Sequence, residues 1–313
     1  MPQPMEQQPV TNTMSLDEAK KLLEKEGYEV KNETTPDPIK EEPKEILQPD
    51  FQIYNRDLAN GRFYFLEGDD QETDSWVPSV TTQLGSIHKG FGFNTWNRNY
   101  GHLAPRERDA KAVKGSHVHF LALERMCRGE EVTENDIQEY IMNDTNKDWR
   151  WSYKNIHSYM HSIRRYLWSF QQFWIEHEPT VVAIEYPIYQ PDIKLAGRLD
   201  MIVKMKKTKA AKKESLVLVD LKTGQKYWTH GIQNSAYKVG WELDHPGLKI
   251  DYIASLYVRD SFRNDPTYDL SYQKFDYESF KAASKLWHKE NQNVKGNVAP
   301  TLKPQPPKTF KLY

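Results

Sequence analysis

The chain has 313 residues, of which 38% are hydrophobic, 28% charged and 12% aromatic. It is long enough to bury a sizeable core and too aromatic for wholesale disorder. Its one cysteine, Cys127, excludes an intrachain disulfide framework, a four-cysteine zinc site and a four-cysteine iron–sulfur cluster. The net charge of −1 conceals an acidic head, −6 over residues 1–50, and a mildly basic remainder, +5, which permits a polyanionic partner without requiring one.

No apolar run reaches the ~18 residues of a membrane span, and Met1–Val10 lacks a signal-peptide core. A soluble protein of a reducing intracellular compartment, with no membrane partner, is expected. Residues 1–50 read as a flexible acidic extension. Within it Ser15–Glu18 resembles a capping box, so a short helix to Glu26 is expected, stopped by Gly27. Such a tethered helix suits a docking peptide for a protein partner.

The folded body is expected over residues 51–293. Arg62–Leu66 reads as a strand, and Pro78 or Ser79 is placed to open a helix. Residues 106–128 and Tyr153–Glu176 read as helices. The second carries Ile156, Met160, Ile163, Leu167, Phe170 and Trp174 at three- and four-residue steps, a core-facing stripe. Strands follow at Val181–Tyr189, Leu195–Val203 and Ser215–Lys222, then a helix at Ile232–Trp241, a strand at Ile250–Arg259 and a helix at Tyr277–Glu290. Residues 294–313, rich in Pro and Lys, read as a flexible tail. Helices, then a meander of strands, a helix and a strand suit an α/β domain with a mixed central β-sheet and a helical portion before it.

The chemistry concentrates in Gly197-Arg198-Leu199-Asp200 and in Leu216–Gly224, where four apolar residues lead into Asp220-Leu221-Lys222. On a strand, residues two apart share a face. Asp220 and Lys222 therefore point one way, Leu221 turns into the core, and its carbonyl remains beside them. A hairpin pairing brings Asp200 next to Asp220. Two carboxylates beside a lysine suit Mg²⁺ or Mn²⁺, a cation that neutralises a phosphodiester and acidifies water. The bland alternative is a salt bridge at a strand end. Gln233 and Tyr237, four apart, share a helical face and suit contacts to phosphate or base. Upstream, Gly115-Ser116-His117-Val118-His119 offers an imidazole to the same shell.

The series resembles the PD-(D/E)XK nuclease superfamily in its RecB-type branch, which pairs a helical His, a Gly-x-x-Asp strand, an Asp/Glu-x-Lys strand and a Gln-x-x-x-Tyr helix. His119, Gly197–Asp200, Asp220–Lys222 and Gln233–Tyr237 stand in that order. Val77–Thr81, Trp96, Gly101 and Gly115–His119 are similar to segments of mitochondrial genome maintenance exonucleases and their phage or viral counterparts. The likeness spans about Arg62–Tyr257.

The resemblance implies a restriction-endonuclease-like core and a metal-dependent DNA exonuclease of replication, recombination or repair. It favours single-stranded DNA with a free end. It implies His119, Asp200, Asp220 and the Leu221 carbonyl as metal ligands, with Asp200, Asp220 and Lys222 as the catalytic set. Gln233 and Tyr237 would support the site, and Glu185 in Ile184–Pro187 would be an accessory. His117 competes with His119, whose spacing from Gly115 fits the branch better. The location implied is host cytoplasm for a viral protein or mitochondrial matrix for an organellar one. The alternatives are a structure-specific endonuclease of the same superfamily and a non-catalytic nucleic-acid-binding subunit.

Three further features have bland readings as well as functional ones. Six lysines fall within Lys204–Lys213, a solvated hairpin loop whose Lys206 and Lys207 are candidates for phosphate contacts. His157 and His161 lack the intervening glutamate of a zinc-protease helix and read as solvent-facing or packed. Trp149, Trp151 and Tyr153 alternate beside Arg150 and Lys154, which suits stacking on unpaired bases or anchoring of a helix start.

Overall fold

The computed structural model describes residues 46–48, 53–58, 61–66, 75–87, 91–206, 213–260 and 267–291. All of them fall within one compact unit. The expected helix at 15–26, the tail at 294–313 and Lys207 lie outside the described residues.

A small antiparallel sheet comes first, with strands β1 (Tyr54–Leu58), β2 (Gly61–Leu66) and β3 (Ser75–Pro78) in that order. Ser79 then caps a one-turn helix, α1 (Val80–Gln83), its side chain accepting from the Thr82 amide at 3.0 Å. Helices α2 (Phe91–Tyr100) and α3 (Ala104–His119) follow. The helical stretch expected over 106–128 changes character after His119. Phe120–Arg125 is a π-helical turn and Met126–Arg128 a 3₁₀ turn.

Helix α4 (Glu134–Asn143) starts on a capping box, Thr133 and Asp136 bonding each other's backbone amides. Helix α5 (Ile156–His177) starts on Asn155, whose side chain accepts from Ser158 N at 2.9 Å. No helix among the described residues is long and apolar enough to cross a membrane.

The main sheet has the order β4 (Thr180–Gln190), β5 (Leu195–Lys206), β6 (Glu214–Lys222), β7 (Tyr252–Val258), β8 (Tyr268–Gln273). Only the β6–β7 pair is parallel, with helix α6 (Thr229–Asp244) as its crossover; the other pairs are antiparallel. This is the mixed sheet the sequence pattern calls for. Helix α7 (Tyr277–Asn291) closes the order.

Two apolar layers sandwich the sheet. On one face Leu121, Ile163 and Phe170 pack against Val217, Val219 and Leu221. On the other, Ile232, Trp241 and Phe280 pack against Leu216 and Leu218. Strand β6 alternates strictly between the two layers, as a strand buried on both faces must.

Of the first 50 residues, 46–48 are described, and they dock on the body. Leu47 N donates to Val182 O at 2.9 Å, at the bulge where the β4–β5 register shifts between Val181 and Ala183.

Candidate active site

Helix α3 and strands β4 and β5 deliver one side chain each to one corner, and β6 delivers two. The register of β4 and β5 sets Ile184 opposite Met201 and Tyr186 opposite Leu199, so Glu185 lies opposite Asp200. Both strands break their alternation there. Ile184 and Met201 pack on the α3–α5 side, whereas Tyr186 and Leu199, two residues away, pack on the α6 side. The break is visible in the backbone as a left-handed Glu185, φ 47°. A non-glycine residue held there costs about 1–2 kcal/mol, a strain that tends to persist where function requires it.

Pairing of β5 with β6 stops at Met201–Val219, one step short of Asp200 and Asp220. The Asp200 side chain takes over the ladder's work, accepting from the Leu221 amide at 2.6 Å. His119, at the last residue of α3, brings Nδ1 to 3.7 Å from Asp200 Oδ1 and also bonds the Leu221 backbone. Ligand atoms of His119, Glu185 and Asp200 lie within 4.8 Å of one another, the one such group of three among the described residues.

Asp220 sits deeper, 1% exposed. Lys222 Nζ donates to its two oxygens at 2.8 and 2.7 Å. Gln233 Nε2 lies 3.4 Å from Asp220 Oδ1 and 3.3 Å from the Tyr237 hydroxyl. Ser255 Oγ reaches Asp220 Oδ2 at 3.4 Å and is itself held by Gln273 and Asn234. The ammonium is thus aimed by a carboxylate that its neighbours fix in turn.

Charge in this corner is finely divided. Burial, then the Asp200 charge, pushes the Glu185 carboxyl up, and burial raises Asp200 despite Lys222. Burial also moves Asp220 up to about 6, against the pull of Lys222. Burial opposes the Lys222 ammonium as well, but Asp220 and Asp200 outweigh it and hold its pKa above the ordinary value. Burial and then Lys222 bring His119 down to about 4, so its imidazole is neutral at pH 7. Two carboxyls crowded together and a neutral imidazole make a donor set with protons to exchange for a cation. The residues present therefore fit a hard divalent metal such as Mg²⁺ or Mn²⁺.

The cluster opens on a cleft of about 610 Å³ lined by Gly115, His119, Phe120, Glu124, Glu185 and Arg198 among others. Arg198 Nη1 stands 3.7 Å from Glu185 Oε2. Glu124, in the π turn, continues the row Ala112, Ser116 and Phe120 along the cleft wall at four-residue steps. That row is a helical face in the sequence, but no motif marks Glu124 out on it. Glu185, expected as an accessory, stands inside the cluster of ligand atoms. Its register opposite Asp200 and its left-handed backbone go with that position.

His117 goes elsewhere. It is buried between Tyr159 Oη and Asp144 Oδ2, each 2.8 Å away. Lys206 ends β5, six residues beyond Asp200 or roughly 20 Å along the strand, and the fold does not bring it to the cluster. His157 and His161 are exposed on α5. Of the aromatic trio, Trp149 stacks on Tyr159 at 4.8 Å and Tyr153 bonds Lys114 and Ser162, anchoring the start of α5. Trp151 stays exposed under Arg106, 5.0 Å from its ring.

A helical layer, a mixed sheet and a carboxylate–lysine corner at the splayed end of its central strands define a restriction-endonuclease-like fold. The sequence profile of the PD-(D/E)XK nuclease superfamily matches residues 95–301. The chain belongs to that superfamily, and membership implies a metal-dependent nuclease. No curated protein sequence matches the chain significantly.

Proposed function

We propose that the chain is a metal-dependent DNA exonuclease of the RecB-type branch, acting on single-stranded DNA with free ends in replication, recombination or repair. The observation that carries this reading is the convergence of His119, Glu185 and Asp200 beside the Lys222–Asp220 pair, at the mouth of an open cleft. Mg²⁺ or Mn²⁺, when bound, supplies Lewis acidity toward a phosphodiester and an activated water.

The chain's own residues do the rest. We assign His119, Glu185 and Asp200 to holding the cation, with Asp220 and the Leu221 carbonyl bordering it from β6. Lys222, 19% exposed and kept charged by Asp220, offers its ammonium to the negative charge that grows on the phosphate in the transition state. Gln233 and Tyr237 keep Asp220 aimed. Arg198, on the cleft wall, is placed to receive a neighbouring phosphate.

End-labelled linear and closed circular single strands, each with Mg²⁺, Mn²⁺ or EDTA, test the reading. Linear DNA should be degraded only with metal, the circle should survive, and Asp220→Ala and Lys222→Ala should lose activity. A nicked circle would make the protein an endonuclease. Variants as fast as wild type would remove the site from the reaction.

A further inference from the structure

A second pocket lies one strand over from Lys222. It holds about 420 Å³ between the β6–α6 connection and β8, and its walls include Lys226, Tyr227, Trp228, Tyr257 and Lys274. Tyr257 is the register partner of Lys222 across the parallel β6–β7 pair, and such strands run roughly 5 Å apart. The pocket therefore begins within reach of a nucleotide joined to whatever phosphate Lys222 contacts.

Its chemistry is that of a neutral, flat ligand. Trp228 is 63% exposed and Tyr227 40% exposed, unusual for rings this large beside a site. Tyr227 is held edge-on to His230 at 5.6 Å, and His230 Nδ1 is bonded to the Tyr257 hydroxyl at 2.7 Å. The wall's charged groups are engaged or face one another, the Lys274 charge acting on Asp276. Lys226 Nζ meets Asp269 at 2.5 Å, and Asp276, also in the wall, accepts from Ser279 N and Oγ. A phosphate would compete with Asp269 for Lys226 and with Asp276 for Lys274, whereas a base needs only the ring faces.

We propose that this pocket takes the unpaired base of the nucleotide adjoining the scissile phosphate, with Trp228 and Tyr227 as its stacking faces. The assignment rests on the nuclease reading above and sharpens its substrate to a strand whose end nucleotides are unpaired. A paired base cannot enter while it remains stacked in a duplex.

Wild-type protein, Trp228→Ala and Trp228→Phe are titrated in EDTA against a short fluorescein-labelled oligothymidylate, by anisotropy. Copies of the oligonucleotide with one base removed at each position in turn are titrated alongside. Trp228→Ala should bind about tenfold more weakly, and Trp228→Phe should recover most of the loss. One particular abasic position should weaken wild type to a similar extent and leave Trp228→Ala no weaker than it already is. Equal binding by wild type and Trp228→Ala, or the same abasic penalties in both, overturns the proposal. Matching melting curves separate loss of the ring from loss of the fold. Hydrolysis in Mn²⁺ is scored separately: a wild type that shows the abasic pattern but releases no label contradicts the nuclease reading and not the base pocket.

Discussion

Gly197 and Tyr237 touch so closely that a methyl group on Gly197 would sit 2.9 Å from Tyr237 Cε1, and 3.1 Å from Val80 Cγ2. The glycine is what lets the tyrosine ring lie against β5 and bring its hydroxyl to Gln233, which reaches on to Asp220. Two motifs distant in sequence are thus one packing unit. Gly197→Ala should lower the melting temperature by several degrees, in line with the ~1–3 kcal/mol of overpacking. It should also lower DNA hydrolysis about tenfold or more. Tyr237→Phe, which keeps the ring, should cost less on both measures.

Glu185 sets stability against function. Glu185→Gly removes left-handed strain of about 1–2 kcal/mol and a half-buried carboxyl, at a backbone-entropy cost of about 0.5–1 kcal/mol. The metal-free variant should melt at or slightly above wild type, yet hydrolyse DNA at least a hundredfold more slowly. Differential scanning fluorimetry in EDTA and a nuclease assay in Mn²⁺ check the two halves.

The raised carboxyls give a pH signature. Glu185, Asp200 and Asp220 are all more easily protonated in the folded chain than an ordinary carboxyl. Such groups stabilise the fold fully below the unfolded pKa, ~4. They lose that contribution as pH rises through the folded values, about 6 for Asp220. The metal-free protein should therefore weaken from pH 5 to 8. Bound Mn²⁺ compensates, so the gap in melting temperature between Mn²⁺ and EDTA should widen with pH, and should widen less in Glu185→Gln. A gap independent of pH contradicts the charge balance described here.

The capping box of α4 serves as a control outside the site. Thr133→Ala removes the acceptor for the Asp136 amide and should cost about 1 kcal/mol of stability. Thermal melts should show the loss while DNA hydrolysis at lower temperature stays near wild type.

Much of this fold was legible where burial is extreme. The apolar runs of β4, β5 and β6 and the aromatic stripe of α5 announce themselves, because each must fill both faces of a sheet or one side of a helix. Strand β8 was not, since every residue of Tyr268–Gln273 is half-buried at a sheet edge and no clean alternation results. Helix α4 carried its capping signal in Thr133 and Asp136, but with only Ile137 and Ile141 buried its apolar stripe is too short to stand out.

In the site, Asp220, Lys222 and Asp200 are readable because charges at the end of an apolar run are conspicuous. The convergence of His119 with Asp200 needs the tertiary fold, and the inward position of Glu185 needs a backbone conformation that its residue type disfavours. Glu124 follows Ser116 and Phe120 at four-residue steps, but its residue type and neighbours carry no signal that sets it apart from an ordinary helical surface.

The most direct measurement is the rate at which Asp200→Asn releases end label from linear single-stranded DNA in Mn²⁺, beside wild type. Asp200 touches His119, the Leu221 amide and, through the strand pairing, Glu185, so losing its charge should disable the whole cluster. A fall of at least a hundredfold, with the melting temperature in EDTA kept or raised, is the expected result. A variant that digests DNA at the wild-type rate would contradict the account.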